Sequence, residues 1–315
     1  MIKIENLTKH YGDVKAVQSI SFELEDSQIV GFLGANGAGK STTLKMITGY
    51  LSPTSGNVFV DNKNIIDHSI EIQKMIGYLP ELNPLYGEMK VFDYLKFHAD
   101  VRGIQGHQFN KSLEKVVSQC GLQGVVHKIV SNCSKGYKQR IGLAAAMIHD
   151  PKILILDEPV TGLDPNQIVE IRRLIKKLGK EKLVLMSSHI LQEIQATVDR
   201  IVIIHNGEIV ADGTSDELIK DSKGLNQLEL ELLNARVDDI KNMKANIPSI
   251  KIKSQTENEK SHLVSLEYAN TSDPREDVFN YAVEKKWIII KMNSTKRNLE
   301  DIFRNLTKQG GPGDA

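Results

Sequence analysis

Gln28-Ile29-Val30-Gly31-Phe32-Leu33-Gly34-Ala35-Asn36-Gly37-Ala38-Gly39-Lys40-Ser41 is an apolar run that breaks into a glycine-rich turn and then into lysine and serine. The run up to Leu33 reads as a buried strand, and Leu44 and Ile47 begin one side of a helix. A glycine-rich turn between strand and helix curls so that successive N–H groups converge, and the helix N-terminus adds positive potential. That geometry grips phosphate oxygens. Gly34, Asn36, Gly37, Gly39, Lys40, Ser41 and Thr42 are therefore the candidate nucleotide-binding residues. Lys40 can reach β- and γ-phosphates, and the Ser41 hydroxyl can ligate Mg²⁺.

A second stretch completes this chemistry. Ile153-Leu154-Ile155-Leu156-Asp157-Glu158 is an apolar strand with two carboxylates at its C-terminal end, where open α/β sheets bind ligands. Asp157 suits the Mg²⁺ shell, mostly through water ligands, and Glu158 suits a general base for the attacking water. Further strands are expected at 183–186 and 201–204. The helix between 156 and 183 is capped by Asp164, carries Pro165 in its first turn and ends at Gly179.

Hydrophobic residues make up 40% and charged residues 25%, the balance of an ordinary globular protein. Lys+Arg and Asp+Glu are both 40, so no overall basic excess points to nucleic acid. Two cysteines are too few for a disulfide framework. No stretch approaches the roughly 20 apolar residues that span a bilayer, and the alternating N-terminus reads as a strand rather than a signal peptide.

Together these features resemble the ABC ATPase family over about residues 2–212. Ser134-Lys135-Gly136-Tyr137-Lys138-Gln139-Arg140 looks like the family's signature loop, Gly162-Leu163-Asp164 like its partner-contacting loop, His189 like its switch histidine, and Tyr11 like its adenine-stacking aromatic. The resemblance implies a phosphate-loop NTPase core of α/β class with antiparallel β and helical subdomains. It also implies ATP and Mg²⁺ as ligands, and a head-to-tail dimer in which Ser134 and Gly136 of one copy close over ATP held by the other. Catalysis would rest on Glu158, His189 and Lys40. The partner would be a separate multi-span membrane subunit of the small exporter type, with this chain peripheral on the cytoplasmic face of the inner membrane. Leu79-Pro80-Glu81 followed by Asn83-Pro84-Leu85-Tyr86 is most similar to ATPase subunits associated with gliding motility in Bacteroidetes-type bacteria. The rival, a soluble relative acting on ribosomes or nucleic acid, would carry two cassettes, a Cys cluster or a long heptad run.

Two positions depart from the family pattern. Cys133, Lys135 and Tyr137 replace the usual Leu, first Gly and Gln of the signature. Lys135 would aid phosphate binding if it points inward and do nothing if it faces solvent. Glu81 stands where a metal-ligating Gln is usual; attraction of its carboxylate to Mg²⁺ at about 4 Å and a dielectric of about 20 is roughly 8 kcal/mol, offset in large part by the phosphates and Glu158.

Residues 213–226 are polar and read as a linker, and 227–308 as an accessory α+β domain. Strands at 227–233, 250–252, 264–268 and 287–290 interleave with helices near 237–243, 274–286 (capped by Asp273) and after 299. That order suggests a ferredoxin-like sandwich for dimerisation or regulation. Residues 309–315 are expected to be a disordered tail.

Overall fold

The structure is a computed structural model and describes residues 1–221, 226–258, 261–269, 273–295 and 299–308; the expected tail 309–315 lies outside the described residues. It divides into two compact units, Met1–Ser215 together with the chain from Leu306 onward, and Asp216–Asn305.

The first unit opens with β1 (Ile2–Tyr11), β2 (Val14–Leu24) and β3 (Ile29–Leu33), then α1 (Lys40–Ile47), β4 (Ser55–Val60), β5 (Lys63–Asn64), α2 (Ser69–Met75) and β6 (Ile76–Leu79). Three helices follow, α3 (Val91–Val101), α4 (Gly106–Cys120) and α5 (Lys135–Met147). The chain then returns to the sheet through β7 (Ile153–Leu156), α6 (Pro165–Gly179), β8 (Leu183–Ser188), α7 (Leu191–Gln195), β9 (Arg200–His205) and β10 (Glu208–Gly213).

Strands β2-β1-β4-β5 form an antiparallel sheet, and β10-β9-β3-β8-β7-β6 form a second sheet that is parallel from β9 to β6. Every residue of β3 is buried because it has hydrogen-bonded neighbours on both sides and cover on both faces. Ile2, Ile4, Leu7, Phe22 and Leu24 from the antiparallel sheet share one core with Val30, Phe32 and Leu44. Within it Phe22 stacks on Phe32 with centroids 5.7 Å apart, worth about 1 kcal/mol beyond its area burial. This core fixes the C-terminal ends of β3, β7 and β8 side by side, which is where the site forms.

Helix α6 starts as its sequence indicates: the Asp164 carboxylate accepts the Gln167 N–H at 2.9 Å and Pro165 occupies the first turn. The stretch 213–226 read as a linker holds a helix, α8 (Ser215–Asp221). Asp216 and Glu217 in its first turn favour the helix dipole, and Leu218 is buried.

The second unit contains β11 (Asn226–Leu233), α9 (Val237–Asn246), β12 (Ile250–Glu257), β13 (His262–Tyr268), α10 (Arg275–Glu284), β14 (Ile288–Thr295) and α11 (Leu299–Lys308) up to Asn305. Its sheet order is β12-β13-β11-β14 with every neighbour antiparallel, the split βαβ arrangement of ferredoxin-like sandwiches. Leu228, Leu230 and Leu232 alternate onto the helices and pack with Ile240, Met243, Val278 and Trp287. Helix α10 starts one residue later than its expected cap allows. Pro274 is the N-cap, and Asp273 accepts the Arg275 N–H at 3.2 Å. No helix among the described residues is long and apolar enough to cross a membrane.

Candidate active site

The turn after β3 forms because glycine can take the backbone angles it needs. Gly37 and Gly39 have φ of 80° and 107°, and a Cβ on Gly39 would lie 2.5 Å from the Ala16 carbonyl oxygen. Asn36, Gly37, Gly39, Lys40, Ser41 and Thr42 line a cavity of about 350 Å³ that Ala16, Glu81 and Glu158 complete. Gly34 does not line it. Its N–H is taken by the Ser188 carbonyl at 3.3 Å, and a Cβ there would lie 2.5 Å from the Ile204 carbonyl oxygen. Gly34 is a packing glycine under β9, and its own carbonyl accepts Lys40 Nζ at 2.9 Å.

Lys40 also reaches Glu158 Oε1 at 3.4 Å, and both side chains are nearly buried. Oε2 of Glu158 takes His189 Nδ1 at 2.9 Å and the Thr161 hydroxyl at 3.0 Å. The Glu158 backbone sits at φ 49°, a region a glutamate rarely adopts, and its N–H donates to Ser187 Oγ at 2.9 Å. Such a conformation costs about 1–3 kcal/mol and persists only where its surroundings hold it. Four polar partners hold it here.

Ser187 is the residue that the sequence reading passed over. Its hydroxyl donates to Asp157 Oδ1 at 2.6 Å while accepting the Glu158 N–H, so one fully buried side chain sets both acids. Thr161 was missed in the same way. Ser188 accepts the Ile190 N–H and donates to Glu193, whose carboxyl burial holds above its ordinary range. That turn presents His189. Tyr78 lies on the other side of Asp157; burial, reinforced by Asp157, keeps its phenol protonated far above the usual range.

Other expected residues stand outside this cavity. Tyr11 is exposed at the end of β1 under the Lys9 ammonium, in the hairpin whose second strand brings Ala16 to the cavity. Ser134 caps α5, accepting the Tyr137 N–H at 3.4 Å. Gly136 touches Gln167 of α6, which places the Ser134 and Asp164 ends of those helices beside each other. Apart from Gly34 and Tyr11, the expected site residues fall into two groups within one chain, one on or beside the cavity wall and one at a pair of helix starts.

The residues suit Mg²⁺. Ser41 and Glu81 offer oxygens on the cavity wall, and Asp157 is buried behind it with one oxygen committed to Ser187.

Residues 17–161 match the family described as ABC transporter, and residues 129–194 also match one described as AAA domain, putative AbiEii toxin, Type IV TA system. The chain is 32% identical to the bacitracin transport ATP-binding protein BcrA of Enterococcus faecalis over 99% of its own length and 97% of that protein's. It is 39% identical to the BcrA of Bacillus licheniformis over 75% of this chain and 77% of the relative. Among solved structures it is similar to an ATP binding subunit of an ABC transporter, at 28% identity and TM-score 0.63, covering 69% of this chain and 91% of that one. It is also similar to cbiO1 from Clostridium perfringens, described as part of the ABC transporter complex cbiONQ, at 26% identity and TM-score 0.64, covering 70% and 91%. The phosphate-gripping turn, the paired acids and these likenesses agree: the chain belongs to the ABC transporter family, as one of its ATP-hydrolysing ATP-binding cassettes.

Proposed function

We propose that this chain is the nucleotide-binding subunit of an exporter-type transporter, in which two copies pair head to tail around MgATP and drive a separate multi-span membrane subunit. The observation that carries the reading is the Glu158 carboxylate, fixed between Lys40 on one oxygen and His189 and Thr161 on the other at the edge of the phosphate cavity.

The backbone N–H groups of the turn and Lys40 bind the phosphates, and Lys40 counters the charge that develops on the γ-phosphoryl group. Glu158 orients a water and accepts its proton. His189 faces the same carboxylate oxygen and holds it in one rotamer. Tyr11 offers an exposed ring for adenine. Ser134, Gly136 and Asp164 face the partner copy's nucleotide. Ser41, Glu81 and Asp157 would hold Mg²⁺, which when bound neutralises phosphate charge.

Support for a membrane partner comes from a groove of about 340 Å³ between β6, α3 and α5 lined by Tyr78, Tyr86, Tyr94, Phe97 and His98. Leu82 and Val101 stand exposed close by in sequence. An amphipathic helix of a partner fits such a surface. Pairing with it would put the chain at the cytoplasmic face of the inner membrane. The gliding-motility subgroup rests on the stretch from Leu79 to Tyr86 and on Gly162-Leu163-Asp164-Pro165-Asn166-Gln167, whereas the relatives above are named for bacitracin transport. Deleting the gene separates the two, since loss of surface motility supports the first and loss of bacitracin tolerance the second.

The central test is Glu158→Gln. It should bind MgATP as the native chain does and turn over about 10²–10⁴-fold more slowly. Unchanged turnover would remove Glu158 as the base. Affinity purification from detergent-solubilised membranes should recover a multi-span protein; recovery of ribosomes or DNA instead would overturn the transport reading.

A further inference from the structure

Lys135 follows the capping serine of α5, and its side chain runs across to the loop behind Glu158. Its ammonium lies directly over Gly162, in the space that a Cβ on Gly162 would fill. Gly162 has φ of 70°, so this loop presents bare backbone where the ammonium rests. The adjacent Thr161 donates its hydroxyl to Glu158 Oε2 at 3.0 Å. Two more contacts extend the seam between α5 and the start of α6. A Cβ on Gly136 would lie 2.7 Å from Gln167 Cδ, and Arg140 is ion-paired with Glu170. A cavity of about 540 Å³ borders the seam, with Lys135, Thr161 and Glu158 in its wall.

The side chain stays exposed, and its ammonium rests against its own chain at Gly162. From Lys135 the contacts run to Gly162, by one peptide to Thr161, and by one hydrogen bond to the base.

We propose that Lys135 is a positioning residue that couples the loop 134–136 to Glu158 of the same chain. The inference rests on the head-to-tail dimer proposed above, since only there does the loop 134–136 meet a nucleotide. When that loop clamps the partner copy's phosphates, the N-terminus of α5 shifts, and the lysine carries the shift to Gly162. Thr161 moves with it and resets its hydroxyl on Glu158 Oε2. Occupancy of one site thus sets the base of the other. A lysine suits this task, because its stem is flexible and its head is a compact charge with three donors that can settle on backbone carbonyls.

The test uses the full chain with ATP. Lys135→Met keeps the stem and removes the charge. It should lower kcat about five- to tenfold, leave KM for ATP within about twofold, and bring the Hill coefficient for ATP toward about 1, the size and sign of a lost coupling between sites. Lys135→Arg should restore most of kcat, and Lys135→Met should not lower the melting temperature, because the side chain is exposed. A folding defect would instead lower it and would not respond to arginine. Native kcat and Hill coefficient in Lys135→Met would overturn the proposal, as would a raised KM with native kcat, which would put the ammonium on the partner's phosphates. A Glu158→Gln control separates the layers. If that variant forms a dimer with MgATP while Lys135→Met changes nothing, only the coupling falls. If it stays monomeric, the dimer reading falls and the coupling with it.

Discussion

Nδ1 of His189 lies 2.9 Å from Oε2 of Glu158, although the two residues are 31 positions apart. The same oxygen accepts Thr161, while Oε1 faces Lys40 at 3.4 Å. A carboxylate held on both oxygens has little rotamer freedom left to lose when water and phosphate arrive, which is how preorganisation lowers a barrier. It also explains why the strained backbone at Glu158 is kept.

Removing the histidine frees one side of that carboxylate. His189→Ala should lower kcat on the order of 10²-fold, the low end for a group assisting general-base catalysis, with nucleotide affinity nearly unchanged. Steady-state ATPase assays beside equilibrium nucleotide binding would check it. A matched loss of affinity would instead make His189 a binding residue.

Ser187→Ala removes the group shared by Asp157 Oδ1 and the Glu158 N–H, both deep in the fold. A buried N–H left without an acceptor costs about 1–3 kcal/mol, so urea unfolding should report a loss of about 2 kcal/mol. Turnover should fall as well, because the strained Glu158 backbone loses one of its ties.

Glu81 and Ser41 share the cavity wall with Glu158. Glu81→Gln keeps an oxygen for the metal and removes a charge, so the Mg²⁺ concentration for half-maximal ATPase should rise about three- to tenfold. If both Mg²⁺ dependence and rate stay native, Glu81 is not a ligand.

His149 lies outside the site and sets a pH limit on the fold. Burial, aided by the Arg102 charge, lowers its pKa to about 4, while its ring nitrogen meets the Ile76 carbonyl at 3.1 Å. Lys182 lowers it further and Asp150 opposes them. The unfolded chain binds this proton more readily than the folded one between the unfolded pKa near 6.5 and the folded value. Stability is therefore full above about pH 6.5 and falls as pH drops toward 4. With allowance for solvent screening the loss is about 1–2 kcal/mol. Denaturation at pH 7 and pH 4.5 should show it, and His149→Asn should reduce the difference by that amount.

Much of the fold was legible because its signals are local. Apolar runs ending in glycine or paired acids marked β3 and β7, and Asp164 with Pro165 marked the start of α6. The alternation of Leu228, Leu230 and Leu232 marked β11. Each of these depends on residues within a few positions of one another. The helix Ser215–Asp221 inside the linker stretch leaves little trace in the sequence, because a short polar helix with one buried leucine has almost no periodicity to show.

The site divides along the same line. Lys40, Ser41, Asp157 and Glu158 are expected from a glycine turn and strand ends, and His189 from the family resemblance. Tertiary structure alone decided that Gly34 packs under β9, that Ser187 ties both acids together, and that Lys135 rests on Gly162. Those facts depend on a non-sequential sheet order that sets β3 between β8 and β9. The paired acids at the strand end and the glycine turn were chemistry that the chain carries in any register; which oxygen meets which donor exists only once distant segments share a core.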